Sequence, residues 1–200
     1  FGANRGDSLT SFTSNVRAMG GTGITGLGKQ GKWDLWGFEA NPHFTPQLKA
    51  LEEKLNRATL PSGDKQYNVF MRPESAITTK NGPITFYLDT VNKAASFWGS
   101  SLLEKHHDVV KSGKKNVTVQ GYAISQLIME NYSKDDYIIV KMDVEGSEFD
   151  LLTDLMLTGA IHYVDLLLCE YHRSLAPVEG MEKTLKYQIG KAGVKQGSWD

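Results

Sequence analysis

The sequence predicts an α/β fold in which a mostly parallel, doubly wound sheet is flanked by helices. Apolar strand-like runs alternate along the chain with segments whose apolar residues recur at helical spacing. The strand-like runs are continuously apolar rather than alternating, which is typical of parallel sheets that are covered on both faces. With 200 residues, 40% of them hydrophobic, the chain is long enough for one domain with a sizeable core.

The first half of the chain begins with a Gly-rich turn at residues 1–7, which reads as the end of a strand and the turn after it. The helices predicted next carry apolar stripes at Leu9, Phe12, Val16 and Met19, and at Phe44, Leu48, Leu51 and Leu55. Strands are predicted at 33–38, 67–71 and 84–88, the last of them after a turn at Asn81-Gly82.

The second half opens with a long polar excursion at residues 89–116, which we expect to lie on the substrate side. A short strand at 117–119 and two strong strands at 137–142 and 163–169 are predicted after it. Helices are predicted around Ile124, Leu127 and Ile128, then around Phe149, Leu152 and Leu155 with a stop at Gly159, and finally along Val178, Met181, Leu185 and Ile189 with Pro177 in the first turn.

The domain organisation predicted is a single domain over residues 1–200 that is truncated at both ends. Only Phe1 represents the apolar strand that should lead into the first turn. After the last predicted helix, residues 194–200 are too few for the two strands that usually close such a sheet. We therefore expect part of the first strand and the last strand or strands to be missing.

Charge and cysteine content exclude several classes of protein. The chain has 22 basic and 23 acidic residues and a formal net charge of -1, which argues against a nucleic-acid-binding protein. No apolar run approaches the roughly 18 to 20 residues of a membrane span. Cys169 is the only cysteine, so intramolecular disulfides and cysteine-rich zinc sites are excluded.

Polar residues follow the predicted parallel strands at their carboxyl ends, where doubly wound sheets bind ligands. They are Gly2, Asn4 and Gly6, then Glu39, then Glu74, Ser75 and Ala76, then Asp143, Glu145 and Gly146, and last Glu170 and His172. A Gly-rich first turn with an acid at the end of the second strand is the arrangement of nucleotide-cofactor sites. The alternative is that these are ordinary turn residues and a solvated strand end.

Six segments in order resemble the FkbM-type methyltransferase family. They are FGANRGDS at residues 1–8, WGFEANP at 36–42, SAITTKNGPITFY at 75–87, SSL at 100–102, IIVKMDVEGSEFDLL at 138–152 and LLLCEYH at 166–172. The segment KMDVEGSE at 141–148 is the most diagnostic of them. The resemblance implies a Rossmann-like class I methyltransferase fold and S-adenosyl-L-methionine as cofactor.

The resemblance also implies which residues bind the cofactor. The first turn (Gly2, Ala3, Asn4, Gly6) would border its methionine part, and Glu39, followed by Ala40, would hold the ribose hydroxyls. Ser75 and Ala76 would lie beside the adenine, and Asp143 near the sulfonium. The family usually has proline where Ala40 stands and aspartate where Ser125 stands, and neither departure removes an expected cofactor contact.

Three residues are candidates for the chemistry: Asp143, Glu145 and His172. In an extended strand Asp143 and Glu145 project to the same side, and paired carboxylates can raise one another's pKa so that one acts as a base. A histidine has an ordinary pKa near 6.5, so His172 is an alternative base. Glu145 as a helix cap and His172 as a surface residue are the structural alternatives.

No metal is predicted. His106-His107 are interpreted as a solvated loop, because adjacent side chains do not converge on one ion. Asp143, Glu145, Glu170 and His172 could bind a divalent ion, but no spacing motif supports it. The GxGxxG pattern at 21–26 follows a helical stripe rather than a strand. The GxxxxGK pattern at 23–29 is followed by Gln30 instead of the Ser or Thr that would hold magnesium, so we interpret both patterns as a surface loop.

The function predicted is transfer of a methyl group to a hydroxyl of a carbohydrate, lipid-linked or secondary-metabolite acceptor. Two alternatives stay open, a catalytically inactive methyltransferase-like scaffold and a nicotinamide-dependent Rossmann oxidoreductase. The partner expected is a small-molecule or glycan acceptor, with no nucleic acid and no membrane segment within the chain. The compartment is open: cytoplasmic by default, and secretory if a terminal signal or anchor is missing.

Overall fold

The computed structural model describes residues 2–14 and 27–197. Its contacts divide the chain into two compact units, Phe1–Ser75 and Ala76–Asp200, which are taken in turn. Within the described ranges, no helix has the length and apolar character that crossing a membrane requires. The helix residues Val16 and Met19 and the glycine pattern at 21–26 lie outside the described residues.

The first unit is built around two parallel strands and one long helix. In chain order it contains α1 (Asp7–Ser14), β1 (Trp33–Glu39), α2 (Thr45–Asn56) and β2 (Tyr67–Pro73). β1 and β2 pair in parallel from Trp33 opposite Tyr67 to Glu39 opposite Pro73. The helix α2 packs on β2 through its buried Leu48 and Leu55. A backbone hydrogen bond from the Ala3 N–H to the Phe38 carbonyl holds the carboxyl end of β1 beside the turn that precedes α1.

The second unit contains two sheets of different kinds. Strands β3 (Ser75–Thr78), β4 (Gly82–Tyr87) and β5 (Asn116–Ala123) form one sheet in the order β3-β5-β4, and β4 and β5 are antiparallel. Strands β6 (Ile139–Met142), β7 (Leu166–Cys169) and β8 (Lys195–Gly197) form a parallel sheet in that order. β3 begins at the last residue of the first unit.

Four helices belong to the second unit. They are α3 (His107–Lys111), α4 (Ile124–Asn131), α5 (Glu148–Thr158) and α6 (Met181–Lys191). α5 contacts both α4 and α6 and buries Phe149, Leu151, Leu152 and Leu155. Because α5 follows β6 directly, the short turn between them is held by a buried strand on one side and a buried helix on the other.

The α/β class is confirmed, and several predicted elements differ in detail. Tyr163, predicted as the first residue of the strand over 163–169, belongs to a 3-10 turn at Ala160–Tyr163, and β7 begins only at Leu166. Gly159 ends α5 in the left-handed conformation. β5 extends to eight residues, where only Val117–Val119 were predicted, and pairs antiparallel with β4. The helix α6 begins at Met181 after Gly180, so Pro177 and Val178 precede it.

The excursion at 89–116 is ordered by its own polar contacts. The buried Asp89 carboxylate accepts hydrogen bonds from the backbone N–H groups of Val91, Asn92 and Gly99. Burial opposes ionisation of Asp89, but these bonds and one from the Asn92 side chain lower its pKa. The excursion is therefore a folded part of the second unit, and it contains α3.

Candidate functional site

The first group of predicted site residues lies in the first unit, where the Gly-rich turn meets the end of β1. The Ala3 N–H donates to the Phe38 carbonyl at 2.9 Å, and the Gly6 N–H closes the turn on the Ala3 carbonyl at 2.7 Å. Gly2, Asn4 and Gly6 all have positive φ, at 70°, 47° and 85°. These are left-handed conformations that glycine adopts without strain and that asparagine tolerates better than most residues.

Glu39 ties this turn to the end of β1. Its Oε2 accepts the Asn4 N–H at 2.7 Å, and its Oε1 accepts the Asn41 N–H at 2.8 Å. The residue is only 8% exposed, so the two backbone donors compensate for the burial of its charge.

The remaining residues predicted to bind the cofactor are placed as follows. Ala3 and Ala40 are buried beside the turn and at the end of β1. Ser75 and Ala76 are buried at the start of β3, and the Ser75 hydroxyl donates to the Pro73 carbonyl at 3.2 Å. The first unit thus brings Gly2, Asn4, Gly6 and Glu39 together, and Ser75 lies just after the partner strand of β1.

The second group lies in the second unit, on the turn between β6 and α5. Asp143 follows β6 and pairs with Lys141 at 3.0 Å between Oδ2 and Nζ. Glu145 has φ 49°, and Gly146 has φ 99° with its N–H donating to Glu148 Oε2 at 2.8 Å. A left-handed glutamate carries a cost of about 1–2 kcal/mol, so the surrounding contacts must hold it.

His172 joins this turn from the end of β7. Its backbone N–H donates to Glu148 Oε1 at 2.6 Å, and its Nδ1 lies 3.2 Å from the same oxygen. Its Nε2 lies 3.3 Å from Glu145 Oε2 and 3.9 Å from Glu170 Oε1. Glu148 is fully buried, and its two oxygens are bonded to Gly146 and His172.

The charge of His172 differs from the sequence expectation of an ordinary pKa near 6.5. Burial lowers the pKa, but the hydrogen bonds to Glu145 and Glu148 outweigh it and raise the pKa of His172 to about 10. The side chain is therefore an imidazolium at neutral pH. In that form both ring nitrogens donate hydrogen bonds, and the positive charge balances the carboxylates of Glu145 and Glu148.

His106 was predicted to lie in a solvated loop, and this prediction was wrong. The residue is 4% exposed and caps α3, and its Nδ1 accepts the Asp108 N–H at 3.3 Å. Its Nε2 lies 3.3 Å from Glu145 Oε2, and the Ser101 hydroxyl donates to the Glu145 carbonyl at 2.8 Å. His107 is exposed, as expected. The expectation that the two adjacent side chains do not converge was wrong, because possible ligand atoms of His106, His107 and Asp108 lie within 4.8 Å of one another.

Sequence reasoning also gave no role to Glu148. The sequence nevertheless contained one signal for Glu148 and one for His106. Glu148 stands at the start of an apolar helix, where a negative side chain interacts favourably with the helix N-terminus. The structure shows that this residue is also buried. His106 precedes Asp108 and the buried Val109, which is the pattern of a helix start.

Asp143, Glu170 and His172 each offer one possible metal-ligand atom, and these atoms lie within 4.8 Å of one another. A ligating imidazole needs a lone pair on the nitrogen that faces the ion. His172 is protonated at neutral pH, so a proton competes with any cation there.

A cavity of about 810 Å³ lies in the second unit beside β7, β8 and α6, and Glu170 of the predicted site is among the residues that line it. It is lined by Cys169, Tyr171, Arg173, Glu182, Lys186 and Gln196, among others. The hydrogen bond from Arg173 lowers the pKa of Glu182 to about 2, against the effect of burial, and Lys186 adds to this. The charges of Arg173, Glu182 and Lys186 therefore pair with one another, and sequence reasoning had singled out none of these three residues.

The family model described as "Methyltransferase FkbM domain" matches residues 1–187 of the chain. Neither the curated proteins nor the solved structures gave a significant match.

Proposed function

The chain belongs to the FkbM methyltransferase family, and from this premise we propose that it is an S-adenosylmethionine-dependent O-methyltransferase. The family supports methyl transfer. The cofactor, the oxygen acceptor and a Rossmann-like arrangement of the strands are the proposal's own. The observation that carries it is the buried Glu39 carboxylate, which the Gly-rich turn and the end of β1 hold between two backbone N–H groups.

The residues of the first unit fit the nucleoside and amino-acid parts of this cofactor. The turn at Gly2, Ala3, Asn4 and Gly6 offers backbone close to a ligand, because its left-handed positions carry small or short side chains. Glu39 and the adjacent Ala40 stand at the end of β1, where a carboxylate accepts hydrogen bonds from ribose hydroxyls. We assign Ser75 to the adenine side.

In the second unit we assign Ala76 to the adenine side as well, and Asp143 to the charged end of the cofactor. Asp143 lies directly after the parallel strand β6, and its partner Lys141 leaves the carboxylate about 29% exposed. An ionised carboxylate at a strand end stabilises a positively charged group such as an amine or a sulfonium.

S-adenosylmethionine, when bound, supplies a methyl group that is already activated for transfer to a nucleophile. The protein must then align the acceptor oxygen and receive its proton. We assign the proton to Glu145, whose Oε2 faces both imidazoles. His172 is the charged partner of that base, because its elevated pKa makes it a poor proton acceptor at neutral pH.

The acceptor we propose is a hydroxyl of a carbohydrate, lipid-linked or secondary-metabolite molecule. The excursion at 89–116 packs on the turn that carries Glu145 through Ser101 and His106. It also presents Trp98, which is 63% exposed, and an exposed aromatic ring suits the apolar face of a sugar. The excursion is therefore the segment in which we place acceptor selection.

Calorimetric titration with S-adenosylhomocysteine tests the cofactor assignment. We expect binding by the wild type and roughly 100-fold weaker binding by Glu39→Ala, because two charge-assisted hydrogen bonds are lost. Glu53→Ala is the matched control, since Glu53 is an exposed glutamate of the same unit. Circular dichroism of each variant separates lost binding from lost folding.

The same titration distinguishes the other functions. Absence of binding by the folded wild type contradicts the proposal and favours a scaffold, whereas selective binding of NAD favours an oxidoreductase. With binding established, radiolabelled S-adenosylmethionine and a panel of sugars, lipid-linked glycans and hydroxylated metabolites identify the acceptor. Label transferred only to nitrogen or sulfur nucleophiles would contradict O-methylation.

A further inference from the structure

His106 makes one contact through each of its two ring nitrogens. Nδ1 accepts the Asp108 N–H at 3.3 Å as the cap of α3, and Nε2 lies 3.3 Å from Glu145 Oε2. An imidazole nitrogen that accepts a hydrogen bond carries no proton, so the neutral ring has its proton on Nε2. His106 therefore donates from Nε2 to the carboxylate of Glu145.

Glu145 is held at three points. The Ser101 hydroxyl donates to its carbonyl at 2.8 Å, and the two imidazoles of His106 and His172 contact the same carboxylate oxygen, each at 3.3 Å. The side chain is 21% exposed, and its other oxygen, Oε1, has no hydrogen bond among residues 2–14 and 27–197. One oxygen is thus tied, and the other is available to a ligand.

We propose that His106 is a positioning residue that holds the Glu145 carboxylate against His172 and presents its Oε1 to the acceptor hydroxyl. The inference rests on the proposed role of Glu145 as the base. It extends that role to the excursion, since His106 and Ser101 both belong to residues 89–116. The excursion in which we place acceptor selection then also orients the base.

The groups that face His172 come from every element around it. Glu145 and Glu148 approach from the turn and α5, and Glu170 approaches from the end of β7. Asp143, at the end of β6, lies within 4.8 Å of this cluster and is paired with Lys141. Of these carboxylates, Glu145 is the one that His106 contacts, so the titration of His172 reports whether Glu145 stays in place.

Two substitutions separate positioning from helix capping. His106→Asn keeps an acceptor near the position of Nδ1 and is a preferred N-cap residue, but its short amide does not reach Glu145. His106→Gln places an amide N–H near the position of Nε2 and loses the cap. If His106 acts only as a helix cap, His106→Asn should resemble the wild type more closely than His106→Gln does. If His106 positions Glu145, the pKa of His172 should be closer to the wild-type value in His106→Gln than in His106→Asn.

The readout is the titration of the His172 ring by NMR in the full chain without ligand. We expect a pKa near 10 in the wild type and in His106→Gln. In His106→Asn we expect it to fall by about one to two pH units, the shift that corresponds to one charge-assisted hydrogen bond. The wild-type spectrum should also show a neutral His106 ring protonated on Nε2.

An unchanged or raised pKa of His172 in His106→Asn overturns the inference, as does a His106 ring protonated on Nδ1. A fall in His106→Gln of the same size as in His106→Asn overturns it too, because the donor would then not matter. Binding of S-adenosylhomocysteine is measured in parallel on both variants. The wild type is titrated as well, and absence of binding by the wild type would contradict the proposed function. The NMR result decides the role of His106 alone.

Discussion

His172 carries a positive charge across the neutral pH range because two carboxylates converge on its ring. Glu148 is fully buried and contacts Nδ1, and Glu145 contacts Nε2. The folded protein therefore binds a proton at His172 far more tightly than the unfolded chain does. This difference links the stability of the protein to pH.

The sign follows from the two pKa values, about 6.5 in the unfolded chain and about 10 in the folded protein. The contribution of His172 to stability is complete below pH 6.5 and is lost as the pH rises toward 10. We expect the free energy of unfolding to fall by up to about 1.4 kcal/mol per pH unit within this window. Urea unfolding at several pH values between 6 and 10 measures it.

The control for this prediction is a pair of variants. His172→Gln should lose the falling component, whereas His162→Gln, at an exposed histidine, should follow the wild type. Other groups titrate near pH 10, so the quantity compared is the difference between each variant and the wild type. Parallel curves for His172→Gln and the wild type would contradict the raised pKa.

The residues of this cluster could be predicted from the sequence better than the charge of His172 could. Asp143, Glu145 and His172 could be named because each follows an apolar strand, and the parallel sheet brings β6 and β7 side by side. The charge of His172 could not be predicted, because it depends on Glu148 and on burial. His106 was missed because its partner, Glu145, lies 39 positions along the chain.

At the level of elements, the turn between β6 and α5 depends on Gly146. Its φ is 99°, and a Cβ there would lie 2.6 Å from Leu103 and 2.8 Å from Leu175. The excursion and the segment after β7 therefore both pack directly against this glycine. No other residue fits, on grounds of both backbone conformation and space.

We expect Gly146→Ala to lower the free energy of unfolding by about 2–4 kcal/mol, the sum of backbone strain and overpacking. Gly180→Ala is the matched control, because Gly180 has φ 77° but open space around it. It should lose only the strain, about 1–2 kcal/mol. Urea denaturation of both variants measures this, and equal losses would contradict the packing of the excursion on the turn.

Periodicity predicted the parallel strands and their helices well, for a physical reason. β1, β2, β6 and β7 are short apolar runs followed by polar residues, and α2 and α5 bury apolar residues at helical spacing. β3 and the parallel strand β8 were missed, and β5 was cut short; β8 consists of only the three residues Lys195–Gly197 and has no apolar run. β3 has four residues, and β5 is exposed at several positions, so neither has the apolar run that marks a buried strand.

At the scale of the whole molecule, Cys169 is a natural probe of unfolding. It is the only cysteine, it is 5% exposed, and it ends β7, which pairs with β6 on one side and β8 on the other. Burial raises the pKa of its thiol, and the nearby Glu148 adds to this. A disulfide reagent reacts with the thiolate, so Cys169 should react only when β7 opens.

The opening of β7 depends on whether the two units unfold together or separately. The single-domain prediction expects them to unfold together, and a ligand bound to the native state then protects the whole chain. We expect labelling of Cys169 to slow by about 100-fold when S-adenosylhomocysteine is present at about 100 times its dissociation constant. Glu39→Ala should show no such slowing, although Glu39 and Cys169 belong to different units. If calorimetry shows that the ligand binds but the rate of Cys169 labelling does not change, the second unit opens alone. The single-domain prediction would then be wrong.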